Sequence, residues 1–197
     1  MNALVGVLSV LFAITTSMAA GEYFPNGSVS GFEQEWYGKA LRAMREPVLS
    51  QEHTNKTYFA FRILYLPTWG HPVCVRYWND GTNFFRRSVM LSGAGGYEPG
   101  TIQKDSQVEV RKEEIEELFA NLEKMRFWAV SPKDEIRGMD GSELILEGVR
   151  EQKYKVVVHW TPDYQAKQRG LEAAVSFYQN LFERVGLLEK PAGKELK

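Results

Sequence analysis

Between Thr57 and Leu91 three runs rich in aromatic and β-branched residues are separated by two short turn sequences. The runs are Thr57–Leu66, Pro72–Trp78 and Phe84–Leu91, and the breaks are Pro67-Thr68-Trp69-Gly70 and Asn79-Asp80-Gly81. Connections this short join only antiparallel neighbours, because parallel strands need a crossover of a dozen or more residues. The chain is thereby committed to an antiparallel meander. A second pair of strand-like runs, Leu144–Val149 and Lys153–Trp160, follows the turn signal Asp140-Gly141 and predicts a separate hairpin.

The register of that hairpin can be argued from its pattern. A three-residue loop at Arg150-Glu151-Gln152 pairs Leu146 with Val156 and Leu144 with Val158. One face is then wholly apolar, while the other sets Glu147 opposite Lys155 and Glu143 opposite His159. A two-residue loop mixes polar and apolar residues on both faces, which a sheet with one buried face penalises. The three-residue loop is therefore expected.

Helical spacing of apolar residues marks three further elements. Phe32–Met44 is a short helix closed by Pro47. Lys112–Met125 carries Ile115, Leu118, Phe119, Leu122 and Met125 on one side and opens with acidic Glu113 and Glu114, as the helix dipole favours. Lys167–Val185 presents Leu171, Ala174, Val175, Tyr178, Leu181, Phe182 and Val185. Val108–Val110 reads as a short extended piece, and residues 20–31 as a loose N-terminal segment. The expected fold is α+β: one antiparallel sheet of about five strands, in the order βββαββα after an N-terminal helix, with the two main helices on one face. Leu118, Phe119, Leu122, Tyr178 and Leu181 are expected to pack on Leu144, Leu146, Val156 and Val158.

Met1–Ala19 carries no charged side chain. An apolar run, Leu4–Ile14, is followed by the small and polar Thr15-Thr16-Ser17-Met18-Ala19, and Ser17 and Ala19 satisfy the small-x-small rule for cleavage before Ala20. The run is too short for a membrane span of about 20 residues. Residues 1–19 thus read as a signal peptide, 20–56 as an N-terminal segment with a short helix, 57–188 as one α+β domain and 189–197 as a polar tail. Export as a periplasmic or secreted protein follows, with no membrane span after cleavage. Cys74, the single cysteine, lies mid-strand, where a buried inert thiol is the common case. A net charge of −1 argues against a nucleic-acid partner.

The catalytic and cofactor motifs fail on inspection. Gly93-Ala94-Gly95-Gly96 has no following Gly-Lys-Ser/Thr, and Glu98 occupies the third glycine position of a dinucleotide fingerprint. It reads as a mobile loop or bulge. Asp140-Gly141 with Glu147 matches the end of a calcium loop, but Ile136 and Gly138 stand where earlier ligands belong. His53, His71 and His159 show no metal-ligand spacing. No cofactor or metal is expected. Arg62, Arg76 and Arg86 sit near the middles of the three meander strands. Loops at 67–71 and 79–83 would set Arg62 opposite Arg76, and Arg76 opposite Arg86, in one row across a sheet face; a tighter Asp80-Gly81 turn would move Arg86 to the other face. Like charges in direct opposition need compensation. An anion held by bidentate guanidinium forks would supply it. So would carboxylates from a helix, such as Glu116 or Glu123. Guanidinium groups on different faces, or each already paired, would argue against the anion.

Several segments carry a resemblance: Val73-Cys74-Val75 with Arg76, Gly95-Gly96-Tyr97-Glu98-Pro99-Gly100, Phe127-Trp128, Asp140-Gly141, Leu146-Glu147-Gly148-Val149-Arg150 and Trp160-Thr161-Pro162. Spread over residues 73–162, they resemble a group of uncharacterised exported bacterial proteins. The resemblance implies a single α+β domain outside the inner membrane and names no activity. The group has Arg before the Trp of the last strand, where this chain has His159.

Two functions are carried forward. One is a non-enzymatic binding or interaction protein of the cell envelope, its partner an envelope protein or a small anion on Arg62, Arg76 and Arg86. The other is an envelope hydrolase using His159 with Glu143 or Glu147. Edman sequencing of the chain recovered from a bacterial periplasm or medium is expected to start at Ala20; a start at Met1 in the membrane fraction would overturn the leader reading.

Overall fold

A computed structural model describes residues 22–54, 58–133, 136, 138 and 140–188. Met1–Ala19, read as a leader from the sequence, Ala20 and residues 189–197 lie outside the described residues. Three α-helices and six strands form the fold: α1 (Gly31–Ala43), β1 (Phe59–Pro67), β2 (Val73–Asn79), β3 (Phe84–Leu91), β4 (Ile102–Val110), α2 (Lys112–Lys124), β5 (Ser142–Arg150), β6 (Lys153–Trp160) and α3 (Glu172–Arg184). The strands make one antiparallel sheet in the order β4-β3-β2-β1-β5-β6.

The meander and the hairpin form as expected, and they join through β1 and β5. The sixth strand is β4, of which only the last residues were expected to be extended. Its run Gln103-Lys104-Asp105-Ser106-Gln107 is exposed on both faces. An edge strand with no buried face shows no apolar alternation, so only its backbone ladder to β3 defines it. Its charges also blunt the free edge. The final helix starts at Glu172 rather than Lys167, because left-handed Gly170 interrupts the preceding turns.

Helices cover both faces of the sheet. On one face Ile115, Leu118 and Leu122 of α2 and Phe177, Tyr178, Leu181 and Phe182 of α3 pack on Phe61, Ile63, Val75, Leu144, Leu146 and Val157. On the other, Tyr37, Ala40 and Leu41 of α1, with Tyr23, Phe24 and Met44, pack on Leu64, Leu66, Val89, Leu91, Ile145, Val156 and Val158. Residues 22–30 are therefore no loose segment: Phe24 is buried and its backbone N–H and C=O both bond Gln34. Ser30 and Glu33 close a capping box on α1.

Double coverage also explains the hairpin register. Glu151 and Gln152, both left-handed, form a two-residue loop, so Leu146 pairs with Val157, Glu147 with Val156 and Leu144 with His159. Val156 and Val158 consequently pack under α1 rather than under α2 and α3. The three-residue loop assumed that only one face is buried; here each face needs apolar residues.

Gly148 sits against Phe127 and Trp128 on the α2–α3 face. A Cβ there would lie 2.7 Å from Phe127 Cε1 and 3.3 Å from Trp128 Cη2. Gly148→Ala is expected to lower unfolding stability by about 1–3 kcal/mol through overpacking, measured by urea denaturation. An unchanged midpoint would show that Phe127 and Trp128 can shift freely.

Candidate functional site

The arginine row forms with one member exchanged. Arg62 stands opposite Arg76 as expected, but Arg76 stands opposite Arg87, and Arg86 faces Tyr77 on the helix face. The reason is the connection 80–83: Asp80 Oδ1 accepts from the Thr82 and Asn83 N–H groups at 2.9 Å, so that Asn79 pairs with Phe84 and the parity of β3 shifts by one. Arg86 pairs instead with Glu114 of α2.

Carboxylates meet the row under α1, but not from the helix residues Glu116 and Glu123. Glu46, just beyond α1, places Oε2 2.7 Å from Arg76 Nε and 3.6 Å from Arg62 Nη1, and Oε1 2.6 Å from Arg87 Nη1. Glu147 accepts from Arg62 Nε at 2.9 Å and from Tyr154 Oη at 2.9 Å. Asp105 takes a fork from Arg87 at 2.9 and 2.8 Å. Arg62 also donates to the Pro47 carbonyl at 2.8 Å, and Arg76 lies 4.0 Å over the Trp78 ring. Three guanidinium groups thus meet three carboxylates in a closed, neutral network. Burial disfavours charge on Arg62, yet the Glu147 and Glu46 carboxylates outweigh it and hold the guanidinium above its ordinary value. Burial likewise pushes the Tyr154 phenol up, and Glu147 beside it adds to the shift, so the phenol stays a donor. Cys74 sits on the same face, 1% exposed, with burial pushing its thiol well up.

His159 and the carboxylates assigned to it are not brought together. Glu143 pairs with Trp160, not His159. Side chains alternate across a strand, so His159 points to the α2–α3 face beside Leu144, while Glu143 and Glu147 point to the α1 face. His159 is 4% exposed and lines a cavity of about 40 Å³ with Met125, Phe127 and Leu171. The sheet itself separates the proposed base from its partners.

A larger cleft, about 620 Å³, opens at the edge of the α1 layer. The sequence reading did not anticipate it, because its walls come from four distant segments. Ser30, Phe32, Glu33, Glu35, Trp36 and Lys39 belong to α1 and its cap, Thr68 to the β1–β2 turn, Gly96 and Tyr97 to the glycine-rich loop, Gly138 and Asp140 to the segment before β5, and Ser142, Glu143 and Trp160 to the adjoining ends of β5 and β6. The glycine-rich loop is neither a phosphate cradle nor loose. Ala94 N–H donates to the Glu98 carbonyl at 3.0 Å, and Gly95 N–H to the Gly70 carbonyl at 2.9 Å. The Gly95 carbonyl accepts from Trp36 Nε1 at 2.6 Å. A Cβ on Gly95 would lie 2.6 Å from the Pro67 carbonyl oxygen, so only glycine lets the loop seat this closely.

Phe32, Trp36, Tyr97 and Trp160 line this cleft, with Trp69 beside Tyr97 and Tyr164 beside Trp160. Phe32 and Trp36 are 5.7 Å apart, Trp69 and Tyr97 5.2 Å, and Trp160 and Tyr164 6.3 Å. Four of these are exposed despite their size: Phe32 74%, Trp69 73%, Tyr97 55% and Tyr164 50%. Arg169 braces the segment that carries Trp160 and Tyr164, donating to the Trp160, Thr161 and Tyr164 carbonyls at 2.7–2.8 Å. Lys39 bridges to Glu98 at 2.6 Å, and Lys133 pairs with Glu33. Hydrogen bonds from Lys133 and Ser30 outweigh the effect of burial and hold the Glu33 carboxyl below its ordinary value.

The chain matches no protein-family model, and no curated protein matches its sequence.

The network around Glu46 makes a stability prediction. Glu46→Gln leaves three buried guanidinium groups facing two carboxylates and is expected to cost about 3–5 kcal/mol. Arg184→Gln, which breaks the half-exposed pair with Glu117, is expected to cost less than about 1 kcal/mol. Chemical denaturation of both variants measures the difference, and equal losses would refute the assignment of Glu46.

Proposed function

We propose that this chain is an exported, non-enzymatic binding protein whose ligand sits in the cleft between α1, the Gly93–Gly100 loop and the outer ends of β5 and β6. The observation that carries this reading is the gathering of the exposed rings: Phe32, Trp69, Tyr97 and Tyr164 all stand on or beside one cleft. Soluble proteins rarely leave large apolar surface contiguous and exposed without a binding role. The volume suits a small molecule, for which pockets of about 300–1,000 Å³ are usual. The leader and the resemblance to exported bacterial proteins support a place in the periplasm or medium.

Binding on the sheet face is less well supported, since Arg62, Arg76 and Arg87 already hold Glu46, Glu147 and Asp105 under α1. Hydrolysis through His159 is disfavoured because the sheet stands between His159 and both carboxylates.

Indole N–H resonances offer a direct test. Trp36 and Trp160 line the cleft and Trp69 packs on Tyr97 at its rim, whereas Trp78 and Trp128 lie away from it. Titration of the nitrogen-15-labelled mature chain with a panel of amines, neutral sugars, small anions and short peptides is expected to shift the cleft indoles and leave Trp78 and Trp128 in place. Shifts confined to Trp78 and Trp128, or none with any class, would overturn the reading.

A further inference from the structure

The ligand class follows from the charge and the ring geometry of the cleft, on the reading that it is the binding site. Among the described residues, the carboxylates Glu33, Glu35, Glu98 and Asp140 stand in or at the cleft against two ammonium groups, Lys39 and Lys133. Both lysines are already engaged, with Glu98 and Glu33 respectively. With those pairs cancelled, Glu35 and Asp140 leave the described lining negative, and a concave wall of low dielectric concentrates the field of such a charge. An anion would enter against that field.

The rings select within the ligands that remain. The pairs are inclined, at 45° for Phe32 and Trp36, 40° for Trp69 and Tyr97 and 67° for Trp160 and Tyr164. Phe32 and Trp36 of α1, Tyr97 of the glycine-rich loop and Trp160 of β6 bring rings to the lining from three separate segments. A compact cation is attracted to any ring face within about 6 Å, and several faces act together on it. Carboxylates beside such rings add a counter-charge without competing for the same volume.

We propose that the cleft binds a small organic cation, an alkyl or quaternary ammonium compound, with its charged head among Phe32, Trp36, Tyr97 and Trp160 and within reach of Glu35 and Asp140. The segment that carries Phe32 and Glu35 is the capped first turn and a half of α1, which the Ser30–Glu33 box and the Lys133 pair hold rigid. The head group therefore meets a site already formed, and ordering costs little on binding.

The test uses choline and spermidine as cationic probes, cellobiose as the neutral probe, inorganic phosphate as the anionic probe and a tri-lysine peptide amide. Tryptophan fluorescence and calorimetry of the mature chain read the binding at low salt and at about 0.5 M salt. Choline or spermidine is expected to saturate the protein and to bind severalfold more weakly at the higher salt. Phe32→Ala and Glu35→Gln are each expected to weaken binding about fivefold. Both positions are exposed, so an unchanged melting temperature is expected to confirm that each variant folds. Tyr97→Ala gives a third, independent reading from the opposite wall.

Several outcomes overturn the proposal. Cation binding that none of the three variants weakens would place the site elsewhere. Saturation by cellobiose or phosphate while both amines stay silent would refute the cation and leave the cleft as a binding site. Binding of the peptide alone would refute a small-molecule ligand. Silence from every probe, together with unmoved cleft indoles, would defeat the binding reading as well.

Discussion

Everything on the α1 side of the sheet is arranged around one carboxylate. Glu46 reaches Arg62, Arg76 and Arg87 at once, from a chain segment that leaves α1 through left-handed Arg45. Three guanidinium groups in adjacent strand positions would repel one another and would resist any apolar layer laid over them. With Glu46, Glu147 and Asp105 among them the row becomes neutral, and Tyr23, Met44 and Leu49 close above the sheet. Burying such a network adds little net stability compared with apolar packing, but breaking it by removing one member is costly. Its geometric demand is strong: α1 must end where Glu46 can reach all three arginines.

The cleft is a consequence of that seating. With the segment after α1 tied through Glu46 to the middle of the sheet, the N-terminal turns of α1 come beside the start of β5 and the end of β6. Phe32, Glu35 and Trp36 therefore stand opposite Tyr97 and Trp160 with open volume between them. The glycine-rich loop, held by Trp36 and by the Pro67–Gly70 turn, makes the second wall. Two kinds of side chain occupy different parts of one layer: the charges lie inside, paired, and large rings stand exposed at its edge.

The limits of sequence reading are instructive at particular residues. The strands β1–β3, the hairpin partners β5 and β6 and the helix α2 were legible because each repeats apolar residues at its own period. The hairpin register is not legible in this way, because the alternation test holds for a sheet with one buried face and α1 buries a second. Arg86 was exchanged for Arg87 because a single Asx turn at Asp80 changes the parity of a strand, and nothing in β3 itself records which parity is used. The strand β4 was invisible because a doubly exposed edge strand needs no apolar pattern. Arg62 and Arg76 were correctly placed opposite one another, yet Glu46 went unnoticed as their partner, since no periodicity links it to them.

By itself the sequence determined that the chain makes an antiparallel sheet with amphipathic helices against it, because turn lengths and apolar periods are local properties of the chain. It also carried the apolar leader and the expectation of export. Only the tertiary structure decided that both faces of the sheet are covered, that Arg87 rather than Arg86 completes the charged row, and that six rings from distant segments gather about one cleft. Those outcomes depend on which side chains meet across long stretches of chain, and no local pattern encodes such a meeting.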